Sequence, residues 1–152
     1  MKLSEITDHR ESTGLLFWQV SMLWQRKIRD VLQPYMLTHT QFVILAVIEE
    51  LGELSDCITQ KNISDFSMID VMTVSSTIRL LEKKGLVCRL PHKTDSRAYA
   101  VCNTREGHEL LAQAVKTVDA ADREFFFDTQ MQNISFRQEL SELMQKALAR
   151  NL

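Results

Sequence analysis

Glycine and proline are scarce in this sequence of 152 residues, which has only four glycines and two prolines. Accordingly there is no Pro/Gly-rich linker, and we find no internal repeat or low-complexity segment. No apolar run reaches about 18 residues, the length that crosses a membrane, so we expect no transmembrane helix. Residues 1–5 are polar and lack the apolar core of a signal peptide. These absences predict a cytoplasmic protein with no membrane partner.

The motifs of common enzyme classes are also absent. The sequence contains no Gly-x-Gly-x-x-Gly motif, no P-loop and no Gly-x-Ser-x-Gly motif. Cys57 and His39 have the chemistry of a nucleophile and a base, but no spacing supports that pair. There is no His-x3-His or Cys-x2-Cys pair to hold a metal ion. We predict that the protein is not an enzyme and has no catalytic residue, metal site or cofactor.

Basic residues cluster in one segment of the chain. The whole sequence has 18 basic and 20 acidic residues, a net charge of −2. Residues 71–97 contain six basic and two acidic residues, a net charge of +4, so the remainder carries −6. Local clustering is typical of a nucleic-acid footprint, and it predicts binding that weakens steeply with salt.

The segment from Thr59 to Tyr99 has the element order of a winged helix-turn-helix, in which one helix enters a DNA groove beside a hairpin. In the second helix Asp70 is a suitable N-cap, and Gly85 lies where a helix end favours a left-handed residue. One apolar stripe predicts the core-facing side: Val74, Ile78 and Leu81. The other side carries small hydroxyl groups first and cations later, which suits contact with base edges. Its members are Met72, Thr73, Ser75, Ser76, Arg79 and Lys83.

A hairpin is predicted next, with strands at residues 86–90 and 98–102. The loop between them, residues 91–97, is polar and carries Lys93 and Arg97, which suits the minor groove or the phosphate backbone. An ordinary solvated hairpin, stiffened by an Arg97–Asp95 pair, is the alternative. Lys83 and Lys84 are equally consistent with phosphate contact and with stabilising the helix end.

The flanking segments read as amphipathic helices, so the fold class is mostly α with a small β-hairpin wing. Helices are predicted at residues 14–33, which Pro34 ends, and from Thr38 or Thr40 to Gly52. A short helix at 59–66, one opened by an Asn103/Glu106 capping box and a final helix complete the set.

The terminal helices carry more apolar surface than a small DNA-binding core needs, which favours a symmetric dimer over helices that complete a monomeric core. We divide the chain into a helical dimerisation region, residues 1–36 and 104–152, and a winged helix-turn-helix domain, residues 37–103.

These features resemble the MarR family of winged-helix transcriptional regulators. The matching segments are 37–42, 59–61, 70–87, the Asp95-Ser96-Arg97 wing signature and 103–107, within a resemblance that covers about residues 14–150. The resemblance implies a homodimeric repressor or activator that binds pseudo-palindromic double-stranded DNA. It implies base contacts from Thr73, Ser75, Ser76 and Arg79, wing contacts from Lys93 and Arg97, and phosphate contacts from Gln60 and Lys61. Release by a small molecule or by oxidation is common in the family.

Two departures from the family pattern occur. Met68 stands where the turn usually has glycine, so residues 67–69 must turn without one. Val71 and Ser76 stand where the recognition helix often has arginines. We therefore expect fewer or different base contacts.

The signal that regulates the protein has several candidates. By resemblance, a small-molecule pocket would lie between the dimerisation helices and the DNA-binding lobe, lined by Trp18, Met22, Trp24, Met36 and His39, although such side chains are more often core. A redox response would use Cys57, or Cys88 and Cys102 facing each other across the hairpin; two separate buried cysteines are the favoured alternative in a reducing cytosol. A zinc site at His39 and His108, and a winged helix that binds proteins rather than DNA, are further alternatives.

Overall fold

The computed structural model describes residues 12–127 and 133–150 and confirms a mostly helical winged helix-turn-helix. Its helices are α1 (Thr13–Leu32), α2 (His39–Gly52), α3 (Gln60–Ser67), α4 (Val71–Lys83), α5 (Arg105–Phe127) and α6 (Asn133–Arg150). A 3₁₀ turn, Gln33–Tyr35, separates α1 from α2. Two strands, β1 (Val87–Pro91) and β2 (Tyr99–Asn103), form the antiparallel wing.

Short polar side chains set the starts of the helices. Thr38 and Thr59 each begin a helix with a capping box, in which the side chain three residues later bonds back to the N-cap backbone. Pro34 lies within the 3₁₀ turn after α1, so the helix ends one residue earlier than predicted. The other predicted helix boundaries agree with the structure to within one or two residues, although α5 is capped by a different residue from the one predicted.

The predicted capping box at Asn103 is wrong. Thr104 caps α5 instead, because its hydroxyl oxygen accepts a hydrogen bond from the Gly107 backbone N–H at 3.1 Å. The Asn103 side-chain amide donates to the Leu45 carbonyl oxygen at 3.0 Å and to Glu49 at 2.8 Å. Asn103 therefore joins the end of the wing to α2.

One apolar core joins the helix-turn-helix to α1 and α5. Helix α2 runs through its centre and contacts α1, α3, α4, α5 and β2. Aliphatic side chains with no exposed surface form the middle of the core: Ile28, Leu32, Ile44, Leu45, Ile63, Val74, Ile78 and Leu81. Burial of each such side chain contributes roughly 1.5–3 kcal/mol to folding. Three of these side chains belong to α4, so its buried side is held firmly against the core.

The wing begins directly at the end of α4. Gly85 has a φ of 75°, the left-handed conformation predicted for the helix end. The strands pair with Cys88 opposite Cys102 and Pro91 opposite Tyr99. The Val101 backbone N–H donates to the Ile58 carbonyl oxygen at 2.7 Å, which attaches the loop before α3 to β2.

The first half of α1 and most of α6 lie outside this core. Both expose large apolar side chains: Leu15, Leu16, Phe17, Trp18, Val20 and Leu23 on α1, and Leu140, Leu143, Met144 and Leu148 on α6. The Phe136 ring packs against Phe126 and Phe127 at centroid distances of 5.6 and 6.4 Å, which connects α6 to α5.

Within the described ranges, no single helix is long and apolar enough to cross a membrane. Helix α1 with its 3₁₀ turn, taken together with α2, has the length and composition of a membrane span, but the two helices meet at an angle of 79°.

Candidate nucleic-acid interface

Helix α4 has one buried and one exposed side. Val74, Ile78 and Leu81 are fully buried, as the apolar stripe predicts. Four side chains at helical spacing lie exposed on the other side: Met72, Ser76, Arg79 and Lys83. Ser75 and Thr73, at the edges of this stripe, are half-buried. The arrangement leaves a continuous surface along the helix that a DNA groove can contact.

The N-terminus of α4 is closed by Asp70. Its carboxylate accepts from the Thr73 backbone N–H at 2.9 Å and from the Thr73 hydroxyl at 2.6 Å. Hydrogen bonding from the Thr73 hydroxyl is the main reason that the pKa of Asp70 lies below its ordinary value. The Ser76 hydroxyl donates to the Thr73 carbonyl oxygen at 3.1 Å. Both hydroxyl protons are thus held within the helix.

Two of the six cations in residues 71–97, Arg89 and Lys84, are hydrogen-bonded to other parts of the protein. Arg89 on β1 binds both carboxylate oxygens of Glu82 at 2.9 and 3.0 Å, and its guanidinium lies 5.3 Å from the centre of the Tyr99 ring. This hydrogen bonding lowers the pKa of Glu82 and raises that of Arg89. Lys84 Nζ donates to the Met36 carbonyl oxygen at 2.6 Å and to Gln41 at 3.0 Å.

The basic surface is therefore smaller than the sequence count suggests. The Lys84 ammonium group is bound at the 3₁₀ turn and the start of α2, a contact that neither of its two predicted roles includes. Arg79, Lys83, Lys93 and Arg97 remain exposed.

The tip of the wing is organised by side chains that accept from the backbone. His92 Nδ1 accepts from the backbone N–H groups of Thr94 and Asp95 at 3.2 and 2.9 Å. The predicted alternative, an Arg97–Asp95 ion pair, is replaced by a bond from the Arg97 backbone N–H to the Asp95 carboxylate at 3.0 Å. Lys93 Nζ lies 3.8 Å from the exposed Asp56 carboxylate, a contact that contributes at most about 1 kcal/mol.

The phosphate contacts predicted at α3 lie in its first turn. Gln60 is half-buried and Lys61 is exposed, directly after the Thr59 cap. The partial positive charge at a helix start favours a nearby anion, so both positions are compatible with a phosphate group.

The two wing cysteines form a pair. Cys88 and Cys102 are opposite each other in the hairpin, with their Cα atoms 5.5 Å apart, and are joined by a disulfide. Both are half-buried, so the expectation of two separate buried cysteines is wrong. Cys57 is a free, half-buried thiol in the loop before α3.

A cleft of 630 Å³ lies between α1, the 3₁₀ turn and the start of α2. Three of the predicted effector residues, Met22, Met36 and His39, line it together with Arg26 and Arg29. Trp18 is 64% exposed and lies outside this cleft, in a neighbouring depression on α1 that also contains Met22. The cleft combines an apolar wall with two cations.

His39 lines this cleft, and its ring contacts Trp24, which lies outside the lining. The Trp24 indole N–H donates to Asp122 on α5 at 2.8 Å, and the His39 ring meets the Trp24 ring edge-on at 5.1 Å. Burial lowers the pKa of His39, and the nearby Asp122 carboxylate opposes that shift in part. Trp24 is thus a core residue that connects α1 to α5.

The alternative zinc site is not assembled. His39 contacts Trp24, whereas His108 Nδ1 is 2.6 Å from Glu49, ten residues further along α2 and about 15 Å away along its axis. No group of three or more possible metal ligands occurs in the described parts of the chain.

Comparison with known proteins assigns the family. The model of the MarR family matches residues 37–99. An uncharacterised HTH-type transcriptional regulator, YdcH of Bacillus subtilis strain 168, is 34% identical over 141 residues, which cover 93% of this chain and 95% of YdcH. The chain belongs to the MarR family.

Solved structures of MarR-family regulators share its fold. CouR from Rhodococcus jostii RHA1, solved with p-coumaroyl-CoA, has a TM-score of 0.79 at 22% identity and covers 93% of this chain and 95% of its own. A cysteine-to-serine mutant of MarR from Escherichia coli, solved with operator DNA, has a TM-score of 0.78 at 24% identity and covers 95% and 99%. As a member of the MarR family, the chain is a transcriptional regulator and not an enzyme.

Several residues of this MarR-family site have no separate signal in the sequence. Arg26 and Arg29 look like ordinary exposed positions of an amphipathic helix, and only the folded cleft brings them near Met36 and His39. Tyr99 begins the second wing strand, and its ring lies against the guanidinium of Arg89 on the opposite strand. A Glu/Arg pair seven residues apart, Glu82 and Arg89, was the one available hint of the internal ion pair.

Proposed function

We propose that this chain is a homodimeric repressor in the cytoplasm that binds a pseudo-palindromic operator in double-stranded DNA. Helix α4 would lie in the major groove and the wing beside it. The observation that carries this proposal is the exposed side of α4, where Met72, Ser76, Arg79 and Lys83 form one stripe opposite a fully buried one. Gln60, Lys61, Lys93 and Arg97 would add phosphate or minor-groove contacts.

The binding test is selection of duplexes from a random library by the purified protein, followed by titration of the selected site against salt. Arg79→Ala and Arg97→Ala should each weaken binding, and the slope of log affinity against log salt should decrease by about one for each phosphate that the variant no longer neutralises. Lys116→Ala is the matched control, because Lys116 is an exposed cation on α5. A library without any enriched sequence would contradict the proposal and favour a protein-binding winged helix.

The dimer is supported by the apolar surfaces of α1 and α6. Large aliphatic and aromatic side chains are exposed on both helices, and contiguous exposed apolar surface marks interaction sites. Residues 1–36 and 104–152 would form the dimerisation region, so that two α4 helices lie about one duplex turn apart.

Light scattering tests the dimer directly, since the chain has a mass of 17.6 kDa. We expect twice that mass for the wild type and the monomer mass for Leu143→Glu on α6. Leu54→Glu is the control, because Leu54 is exposed in the loop after α2 and outside the proposed interface. A wild-type monomer at micromolar concentration would contradict this part of the proposal.

A small-molecule effector would bind in the cleft between α1 and α2. Its apolar wall at Met22 and Met36 and its two arginines favour a ligand with an apolar body and an acidic group. CouR, solved with p-coumaroyl-CoA, is a structural neighbour with a bound ligand of this general character. A screen of carboxylates for release of the selected duplex tests the assignment. Arg26→Ala together with Arg29→Ala should abolish release without weakening DNA binding.

A redox response is the second candidate, supported by the pairing of Cys88 and Cys102. Two thiols form the disulfide by giving two electrons and two protons to a peroxide, which is reduced to water. Operator binding should then differ between peroxide-treated and dithiothreitol-treated protein, and Cys88→Ser should remove the difference. Cys57→Ser is the control. Equal affinity of both treated forms, with the thiol count changed, would exclude this candidate.

A further inference from the structure

The start of α4 and the turn before it form an exposed apolar patch. Met68, Val71 and Met72 each expose more than half of their surface, and Met72 is 82% exposed. A patch of this kind is unusual where a charged DNA surface is the expected partner, since protein–DNA interfaces are more polar than other interfaces.

The polar groups beside this patch are already engaged. The Thr73 hydroxyl donates to Asp70, and the Ser76 hydroxyl donates to the Thr73 carbonyl oxygen. The Asp70 carboxylate also occupies the N-terminus of α4, where a phosphate group would otherwise bind. The first turn of α4 therefore offers DNA an apolar surface and few free hydrogen-bond donors.

The major groove has one apolar group that such a surface matches, the 5-methyl group of thymine. Met72 begins the exposed stripe at the N-terminal end of α4, on the same side of the helix as Arg79 and Lys83. In a helix-turn-helix the N-terminal residues of the recognition helix contact base edges. The thioether side chain is flexible and polarisable, so it adapts to a methyl group in the groove.

We propose that Met72 recognises the 5-methyl group of a thymine in each operator half-site, while Arg79 supplies the hydrogen-bonding contact to a neighbouring base or phosphate. This inference rests on the proposed DNA-binding function and names the base chemistry that the first turn of α4 selects. The cations that follow on the same side favour DNA over an apolar protein partner for this patch.

Base analogues in the selected operator test the inference without changing the protein. Deoxyuridine lacks only the 5-methyl group of thymine, so one replacement in each half-site should isolate that contact. Burial of one methyl group corresponds to about fourfold in affinity, and we expect about 15-fold for the two half-sites of the palindrome. Deoxyuridine at the remaining thymines is the internal control and should change affinity less than twofold.

Variants of Met72 assign the effect to this side chain. With Met72→Ala, the thymine and deoxyuridine operators should bind with similar affinity. Glutamine is similar in length to methionine and hydrogen-bonds to adenine in the major groove. With Met72→Gln, selection should therefore replace the thymine by adenine. Leu54→Ala is the control, because Leu54 is 84% exposed and distant in sequence from α4. Thermal unfolding checks that each variant is folded.

The outcomes separate the inference from the proposed function. Tight binding to a selected operator that is insensitive to deoxyuridine at every thymine would overturn the inference and leave the function intact. Deoxyuridine sensitivity that persists in Met72→Ala would assign the methyl contact to another residue and also overturn it. Failure to select any duplex would overturn both and leave the apolar patch as a protein-binding surface.

Discussion

Lys84 Nζ donates a hydrogen bond to the carbonyl oxygen of Met36 at 2.6 Å, across 48 residues of sequence. The contact joins the end of α4 to the 3₁₀ turn, where Met36 has a left-handed backbone with a φ of 54°. Met36 also lines the proposed effector cleft. Met36 therefore connects the end of α4 to the proposed effector cleft through one hydrogen bond.

The neighbouring lysines should have separable roles. Lys83→Ala should reduce the salt dependence of operator binding by about one unit for each phosphate that it neutralises, because Lys83 is exposed on the side of α4 that is proposed to contact DNA. Lys84→Ala should leave that slope unchanged and lower the free energy of unfolding by about 1 kcal/mol, a value reduced for solvent exposure. Urea unfolding and salt titrations of both variants check this; equal slopes for the two variants would contradict it.

Gly107 should be intolerant of a side chain. A Cβ atom at this position would lie 2.0 Å from the Leu86 carbonyl oxygen, and backbone on both sides prevents an easy shift. We expect Gly107→Ala to lower the free energy of unfolding by about 1–3 kcal/mol. At Gly14 no heavy atom lies within 4 Å, so Gly14→Ala should instead stabilise the helix by up to about 1 kcal/mol. Urea unfolding of both variants measures the difference in sign.

Met68 should reverse the usual order of alanine and glycine. Its φ of 65° is left-handed, a conformation that costs a residue with a Cβ atom roughly 1–2 kcal/mol. Met68→Gly should therefore be more stable than Met68→Ala by about 1 kcal/mol. At Met72, inside a helix, alanine should be the more stable by about the same amount. If the alanine variant were the more stable at both positions, the turn would have left the left-handed conformation in Met68→Ala.

Stability should depend on the protonation of His39. Burial lowers its pKa in the folded protein below the ordinary value of 6.5, so the unfolded chain binds the proton more tightly. The free energy of unfolding should then decrease as the pH falls through 6.5 toward the folded pKa. His39→Phe, which keeps an aromatic ring against Trp24, should lack this decrease.

Urea titrations between about pH 8 and about pH 5 compare the two proteins. The other three histidines of the sequence are present in both proteins, so the difference between the two stability curves isolates His39. Parallel stability curves would show that His39 titrates as it does in the unfolded chain.

The sequence predicts the polarity of α4 well, because periodic apolar positions and a local cap determine it. The effects of these residues are local: each of Asp70, Val74 and Gly85 influences only the few residues around it in the sequence. The family resemblance predicts a turn at residues 67–69, but the left-handed backbone of Met68 was not predicted.

Long-range partners could not be predicted in the same way. Asn103 and Thr104 are adjacent and both are good N-caps; Thr104 caps α5 because Leu45 and Glu49, more than 50 residues away, bind the Asn103 amide. Lys84 and Arg89 look like DNA-binding cations until their partners are known. Internal pairing of this kind depends on the packing of distant elements, so it produces no periodic pattern in the sequence.

The junction between the wing and α5 has a consequence for how such regulators diversify. Thr104 donates to the Gly85 carbonyl oxygen at 2.6 Å, and Gly107 packs directly on Leu86, so α5 and the end of α4 are held together as one unit. In the proposed dimer, the distance between half-sites is then set by the α5 helices, whereas base preference is set by the exposed side of α4. We therefore expect the two properties to vary separately: exchanging residues 71–83 for those of a relative should change which bases are selected and keep the operator spacing.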